Sequence, residues 1–205
     1  MSEQTLKEKT AKGLLWGGVS NGIQQILNVV FGIFLARLLS PGDYGLIGML
    51  GVFLGVAAIL QDSGFSTALI NQKEIKHEDY NAVFWFSLFI GTVSYVILFF
   101  CAPLIARFYG QPELTNLSRV FFLWFLFGST AIAQSALLTK RLMVKERAKI
   151  DVCAMVASGI VGVFLAYKGF AYWGIAIQTV TNSIIGTVLR WYYTPWRPTF
   201  TFDIQ

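Results

Sequence analysis

Charge is the first thing this 205-residue sequence lacks. Asp, Glu, Lys and Arg together make up 13% of it, against about 25% in an ordinary soluble domain. Hydrophobic residues make up 55%, and the mean hydropathy is +0.60. A water-soluble fold of this size would have too little polar side chain to cover its surface. A soluble enzyme, a disordered tail and a nucleic-acid-binding module are thereby excluded. Histidine occurs once, as His77 in the charged stretch 73–79, and cysteine twice, as Cys101 and Cys153 within apolar stretches. That supply gives no disulfide framework and no metal-ligand spacing. The sequence has no P-loop, no HExxH and no GxSxG, so nothing in it points to catalysis, a metal or a cofactor.

What it has instead is long intervals without charge. They are 13–36, 44–61, 80–106, 120–139, 152–167 and 169–189. A helix crossing the hydrocarbon core needs about 20 apolar residues, within roughly 17 to 25. Lipid offers the backbone no hydrogen-bond partners, so such spans are helices. The interval 152–167 is short, which places the start of its helix before Asp151. The expected fold is an all-α membrane protein, a six-transmembrane-helix bundle. Its spans cover about 13–37, 43–62, 80–107, 117–139, 148–168 and 170–192. They make one lobe, 13–193, between an N-terminal segment 1–12 and a tail 194–205.

The cations orient this bundle. Twelve of the 16 Lys and Arg residues fall in the N-terminal segment, the second and fourth connectors and the tail; Arg37, Arg107, Arg119 and Lys168 fall on the other side. Short cytoplasmic loops hold the excess of Lys and Arg, so both termini are expected in the cytoplasm. Aromatic residues mark the same boundaries, among them Trp16, Tyr44, Tyr80, Trp85, Tyr109, Tyr167, Trp173 and Trp191, as the headgroup preference of Trp and Tyr requires. The first span is long for a signal-peptide core, is interrupted by Asn and Gln, and has no small-x-small cleavage site.

The connectors carry readable punctuation. Ser40, Pro41 and Asp43 form a capping box with proline at the first helical position. Gln111-Pro112-Glu113 has the form of another helix start, and Lys168-Gly169 that of a stop. Pro103 is expected to kink the third span. Gly18 with Gly22, Gly51 with Gly55, and the ridge Ala154, Ser158, Gly162, Ala166 have the spacing of close helix contacts in lipid.

The most informative feature lies in the first span. Asn21, Gln24, Gln25 and Asn28 recur at i, i+3, i+4 and i+7 and share one helical face. Span four adds Thr130 and Gln134, and span six adds Gln178, Thr181 and Asn182. Amides are costly in hydrocarbon unless they meet partners or water. One such residue reads as interhelical glue, worth only about 0.6 kcal/mol. Four on one face point to a wet cavity, and neutral donors and acceptors suit polyhydroxylated ligands such as sugars. The connector holding Lys140, Arg141, Lys145, Arg147 and Lys149 reads first as a topology anchor. Its second reading is a site for an anionic head group such as a diphosphate. Arg37, at the outer end of span one, reads either as an interfacial anchor or as a charge of the lumen. Asp62 and Asp151, at span edges, are the candidates for coupling to a proton or Na+ gradient, with caps and ion pairs as the plainer alternative.

The run 34–45, Phe-Leu-Ala-Arg-Leu-Leu-Ser-Pro-Gly-Asp-Tyr-Gly, resembles the first connector of Wzx-type polysaccharide and lipopolysaccharide flippases. These belong to the multidrug/oligosaccharidyl-lipid/polysaccharide exporter superfamily. Asp62-Ser63-Gly64-Phe65, Tyr80-Asn81-Ala82-Val83-Phe84-Trp85, the run 102–109 followed by Pro112-Glu113-Leu114, and Trp196-Arg197-Pro198 resemble later stretches of that family, in order. The resemblance implies the N-terminal lobe of a two-lobe exporter. It implies translocation of undecaprenyl-diphosphate-linked oligosaccharide across a bacterial inner membrane by alternating access. Residues 194–205 would then begin the inter-lobe linker. The C-terminal lobe is a missing partner, beside the bilayer and other polysaccharide-assembly proteins. The peptidoglycan-precursor branch carries arginines along its first span, whereas this stretch is neutral Asn and Gln, which argues against that substrate.

Two other readings share these features. A multidrug or small-molecule exporter of the same architecture would want a carboxylate deep in a span, and none is there. A polysaccharide polymerase would want a large extracytoplasmic loop, and the outer connectors are short.

Overall fold

The computed structural model describes residues 3–61, 69 and 76–199, which are helical apart from short connections. The helices are α1 (Glu3–Leu38), α2 (Pro41–Gln61), α3 (His77–Tyr109), α4 (Leu114–Phe121), α5 (Leu123–Ser129), α6 (Ile132–Lys140), α7 (Val144–Tyr167) and α8 (Tyr172–Tyr193). The all-helical class agrees with the charge-free intervals. Among the described residues, Leu15–Leu38 of α1, α3 and α7 are each long and apolar enough to cross a membrane. The bent pair formed by Leu114–Ser129 and α6 makes a fourth if it counts as one span. Six intervals were expected. The apolar part of α2, Pro41–Val56, is short, and α8 is diluted by Gln178, Thr179, Thr181, Asn182, Ser183 and Thr187. Asp62 and most of the second connector, including Lys73, lie outside the described residues, as do the side chains of Lys7, Lys9 and Lys12.

Local chemistry sets the helix ends. The Ser40 N–H donates to the Asp43 carboxylate at 2.8 Å, and the Asp43 N–H donates to Ser40 Oγ at 3.3 Å. This is the expected capping box, and it turns the chain sharply from α1 into α2. Asp43→Ala strips its carboxylate half and is expected to cost about 1 kcal/mol. Thermal unfolding in detergent checks this; an unchanged midpoint would assign the turn to packing. Gly169 after α7 and Gly110 after α3 have φ of +83° and +65°, a left-handed conformation that glycine adopts without a Cβ penalty. α3 continues through Pro103 as one helix.

The expected fourth span, 117–139, is divided. Leu114–Ser129 and α6 meet at 45°, around Thr130 and Ala131. The Trp191 indole N–H donates to the Thr130 carbonyl at 2.9 Å, and the Thr130 hydroxyl donates to the Phe127 carbonyl at 2.7 Å. Gln134 is fully buried beside them. With its amide oriented to suit both neighbours, it donates to the Thr130 carbonyl and accepts from Trp191. These bonds satisfy the backbone groups that the break frees, as apolar surroundings require.

α7 and α8 form a close hairpin around the 168–171 turn, and the expected ridge Ala154, Ser158, Gly162 and Ala166 is buried in it. A Cβ on Gly174 would stand 3.0 Å from the Gly162 carbonyl, so the two backbones nearly touch. Lipid tails are as apolar as leucine, so close packing of this kind holds membrane helices together. α8 also borders α2, α4, α5 and α6, while α1 packs extensively on α7 alone. The main core gathers Leu50, Ile105, Leu114, Leu117, Phe121, Phe122 and Phe125. The Gly18/Gly22 and Gly51/Gly55 pairs differ from expectation: a Cβ at any of the four meets nothing within 4 Å. Their faces are open in the described chain.

After α8 the chain folds back over the start of α3. Trp196 donates from its indole to His77 Nδ1 at 3.0 Å, the Thr199 N–H donates to Asn81 Oδ1 at 3.0 Å, and the Trp85 indole donates to the Thr199 carbonyl at 3.0 Å. Tyr80 and Phe84 pack their rings on Trp196. The histidine thus fastens the exit of the chain.

Candidate functional site

α1 presents three distinct faces. Ser20 and Leu35 are buried, and a Cβ on Gly159 of α7 would strike the Phe31 ring, so this face seats α1 on α7. Val19, Ile23, Ile26, Val30 and Ile33 are exposed and, at 3.6 residues per turn, form an apolar face. Asn21, Gln25 and Asn28 are exposed and Gln24 is half-buried; these occupy the third face, with the open glycines 18, 22 and 32. Apolar and amide surfaces are therefore segregated around one helix. Gln24 donates to Ser20 Oγ at 2.9 Å, which ties the amide face to the edge of the seated one.

Two cavities follow one another along this amide flank. The first, of about 360 Å³, lies between Ser20, Asn21 and Gln24 of α1 and Arg147, Ala148 and Asp151 of α7. The second, of about 350 Å³, joins Asn28 to Tyr44 of α2, Trp124 of α5, Ser158 of α7, and Gln178 and Asn182 of α8. Asn21 and Asn28 are seven residues apart, about 10 Å along a helix axis. Asn182 donates to Ser158 Oγ at 3.1 Å. Gln178 Oε1 is buried against Gly162 of α7 with no hydrogen-bond partner.

Charge is concentrated at the first cavity. Asp151 accepts from Arg190 of α8 at 2.7 Å, and Arg147 stands 3.8 Å from its other oxygen. Two guanidiniums share one carboxylate, which leaves a net positive charge. Arg147 is about half exposed and also donates to Thr139 Oγ1 at 3.2 Å. The site thus offers neutral donors and acceptors along its length and a cation at one end.

The structure brings together Asn21, Gln24, Asn28, Gln178, Asn182 and Arg147 of the expected residues. Gln25 is exposed on the same flank beside the cavities, and Thr181 is half-buried on α8. Thr130 and Gln134 lie instead at the α5–α6 break, bonded into the protein. Lys145 lies over the Trp16 ring at 5.6 Å, and Lys140 and Arg141 end α6. Arg37 borders a different, apolar groove. Sequence reasoning missed Ser20, which the i−4 spacing from Gln24 would have found. It also missed Tyr44 and Trp124 as cavity walls and Arg190 as the partner of Asp151.

Residues 34–205 match the family model described as polysaccharide biosynthesis protein. The chain is similar to the lipopolysaccharide biosynthesis protein WzxC of Escherichia coli K12, at 27% identity over 91% of this chain and 37% of the relative. It is similar to the teichuronic acid biosynthesis protein TuaB of Bacillus subtilis 168, at 27% over 98% of this chain and 42% of the relative. It is also similar to the succinoglycan biosynthesis transport protein ExoT of Rhizobium meliloti 1021, at 25% over 83% and 35%. The chain therefore spans about two fifths of the length of these relatives. No solved structure matches it.

Proposed function

We propose a function from one premise: this chain belongs to the polysaccharide biosynthesis protein family. It acts as one lobe of a translocator that moves lipid-linked oligosaccharide units across a bacterial cytoplasmic membrane for surface-polysaccharide assembly. The carrying observation is the amide flank of α1 with its two successive cavities. Intramembrane amides are retained where they meet water or a ligand, and a hydroxyl-rich glycan satisfies both their donors and their acceptors.

In this reading the lobe has six spans, with α2 and α8 among them, and both termini in the cytoplasm. The open flank of α1 faces a second lobe, and the cavity between the lobes alternates its access. Arg147, with Lys140, Arg141 and Lys145 nearby in sequence, meets the diphosphate of an undecaprenyl-type carrier at the cytoplasmic end. Charge-assisted bonds from Arg to phosphate are strong and directional. Asp151 is held by two arginines, which leaves Asp62 as the carboxylate to examine for ion coupling.

Deleting the gene tests this reading. The expected outcome is loss of surface polysaccharide, with undiminished resistance to cationic dyes and detergents and with lipid-linked precursor accumulating on the cytoplasmic side. Raised drug sensitivity with intact polysaccharide would replace it with the small-molecule exporter.

A further inference from the structure

The other side of the α1–α7 contact carries a second feature. An apolar groove of about 550 Å³ runs between α1 and α7, lined by Phe31, Phe34, Leu38, Ile160, Val163 and Phe164, with Arg37 and Tyr167 at one end. Lys168 stands at that same end, its ammonium 5.7 Å from the Phe164 ring. Arg37 and Lys168 are exposed, and neither takes part in an ion pair, since both ion pairs among the described residues involve Asp151. The nearest acid in sequence to Arg37, Asp43, is occupied by Ser40 in the capping box.

On the topology proposed above, on which this inference rests, Arg37 and Lys168 are two of only four cations on the outer side. Outer connectors are ordinarily poor in Lys and Arg, so a pair at the mouth of one groove calls for a counter-anion. We propose that the α1–α7 groove binds an anionic glycerophospholipid of the outer leaflet. One acyl chain lies along Phe34, Ile160 and Val163, and the phosphate lies between Arg37 and Lys168, with the Tyr167 hydroxyl free to donate to it. The groove and the amide cavities flank the α1–α7 contact on its two sides, and the Phe31 ring, packed against Gly159, stands between them. The lipid is therefore separate from the translocated substrate. Its place beside α1 makes it a brace for the helix that otherwise packs extensively only on α7.

Native mass spectrometry of the full protein from its own membrane tests this, after delipidation and titration with phosphatidylglycerol, phosphatidylethanolamine or undecaprenyl phosphate. Phosphatidylglycerol is expected to bind in preference to the other two. At about fivefold in affinity per interfacial cation, Arg37→Gln with Lys168→Gln should weaken it roughly 25-fold. Arg107→Gln, an outer cation away from the groove, should not. Val163→Trp, which fills the groove, should also displace the lipid. Arg37→Lys with Lys168→Arg should retain binding and guards against loss through misfolding. Equal affinity in the Gln variant overturns the proposal, as does preference for undecaprenyl phosphate. So does absence of every lipid while Ile160→Cys cross-links to another protein segment, which would make the groove a protein interface. No glycan enters the assay, so a failure of the translocation reading in cells leaves a phosphatidylglycerol result intact.

Discussion

Replacing Asn21, Gln24, Gln25 and Asn28 together by leucine should abolish surface-polysaccharide export while the folded protein stays in the membrane. The four positions lie on the exposed or half-buried flank of α1, and among the described residues their one side-chain hydrogen bond joins Gln24 to Ser20. Losing that bond costs on the order of 0.6 kcal/mol in a membrane protein. Leucine is also a better helix former than asparagine. Folding should therefore barely change. The ligand stands to lose far more, because each unmet hydroxyl costs about 1 kcal/mol or more. Four such losses amount to roughly a thousandfold in binding. Asn28→Leu alone, at the second cavity, should cost about fivefold by the same arithmetic. Polysaccharide at the cell surface, normalised to the amount of the protein in the membrane and to its unfolding midpoint in detergent, measures the effect. The comparison variant changes Val19, Ile23, Ile26 and Ile33 to leucine on the apolar face, and it should export normally. Full export by the amide variant would mean that this flank faces lipid or another helix, and the translocation reading would lose its main support.

The sequence made some of this architecture legible because some of it is one-dimensional. The uncharged intervals 13–36, 80–106 and 152–167 fall within α1, α3 and α7, since hydropathy and helix length are properties of contiguous residues. The amide row was legible for the same reason: its spacing is a property of one helix. The break between α5 and α6 was not legible. The interval 120–139 is uncharged throughout and has no proline. What fixes the bend is Trp191, donating to the Thr130 carbonyl from 61 residues away. That contact also bonds Thr130 and Gln134 into the break, and an isolated polar residue looks the same in sequence whether its partner is a ligand or an indole. The glycine pairs show the converse. Gly162 and Gly18 both sit in four-spaced rows of small residues, yet only Gly162 meets a neighbouring helix among the described residues. Spacing says that a helix can approach closely, and only a three-dimensional neighbour says whether one does.

Asp151 shows how far such a hidden partner changes the chemistry. Read alone, it was a carboxylate at a span edge, open to ion coupling. Its contact with Arg190, 39 residues away at 2.7 Å, with both side chains about three-quarters buried, makes it half of a structural pair. Asp151→Asn leaves Arg190 charged with only a neutral amide beside it. It should lower stability by about 3 kcal/mol, the low end for breaking a buried pair by one partner. Asp151→Leu with Arg190→Met removes both charges and should recover most of that loss, because well-packed apolar replacements of buried pairs are often neutral. A double-mutant cycle on unfolding in detergent reads the coupling, and a coupling near zero would mean that the pair is solvated in the membrane-bound protein. Export should not recover with stability. Asp151 also holds Arg147, whose guanidinium stands 3.8 Å away at the wall of the first cavity. Without the carboxylate, that cation keeps, among the described residues, only its bond to Thr139. A double variant that is stable but poor in export would separate the two roles of this carboxylate: neutralising Arg190 inside the bundle and aiming Arg147 at the site. A double variant normal in both would confine Asp151 to the first.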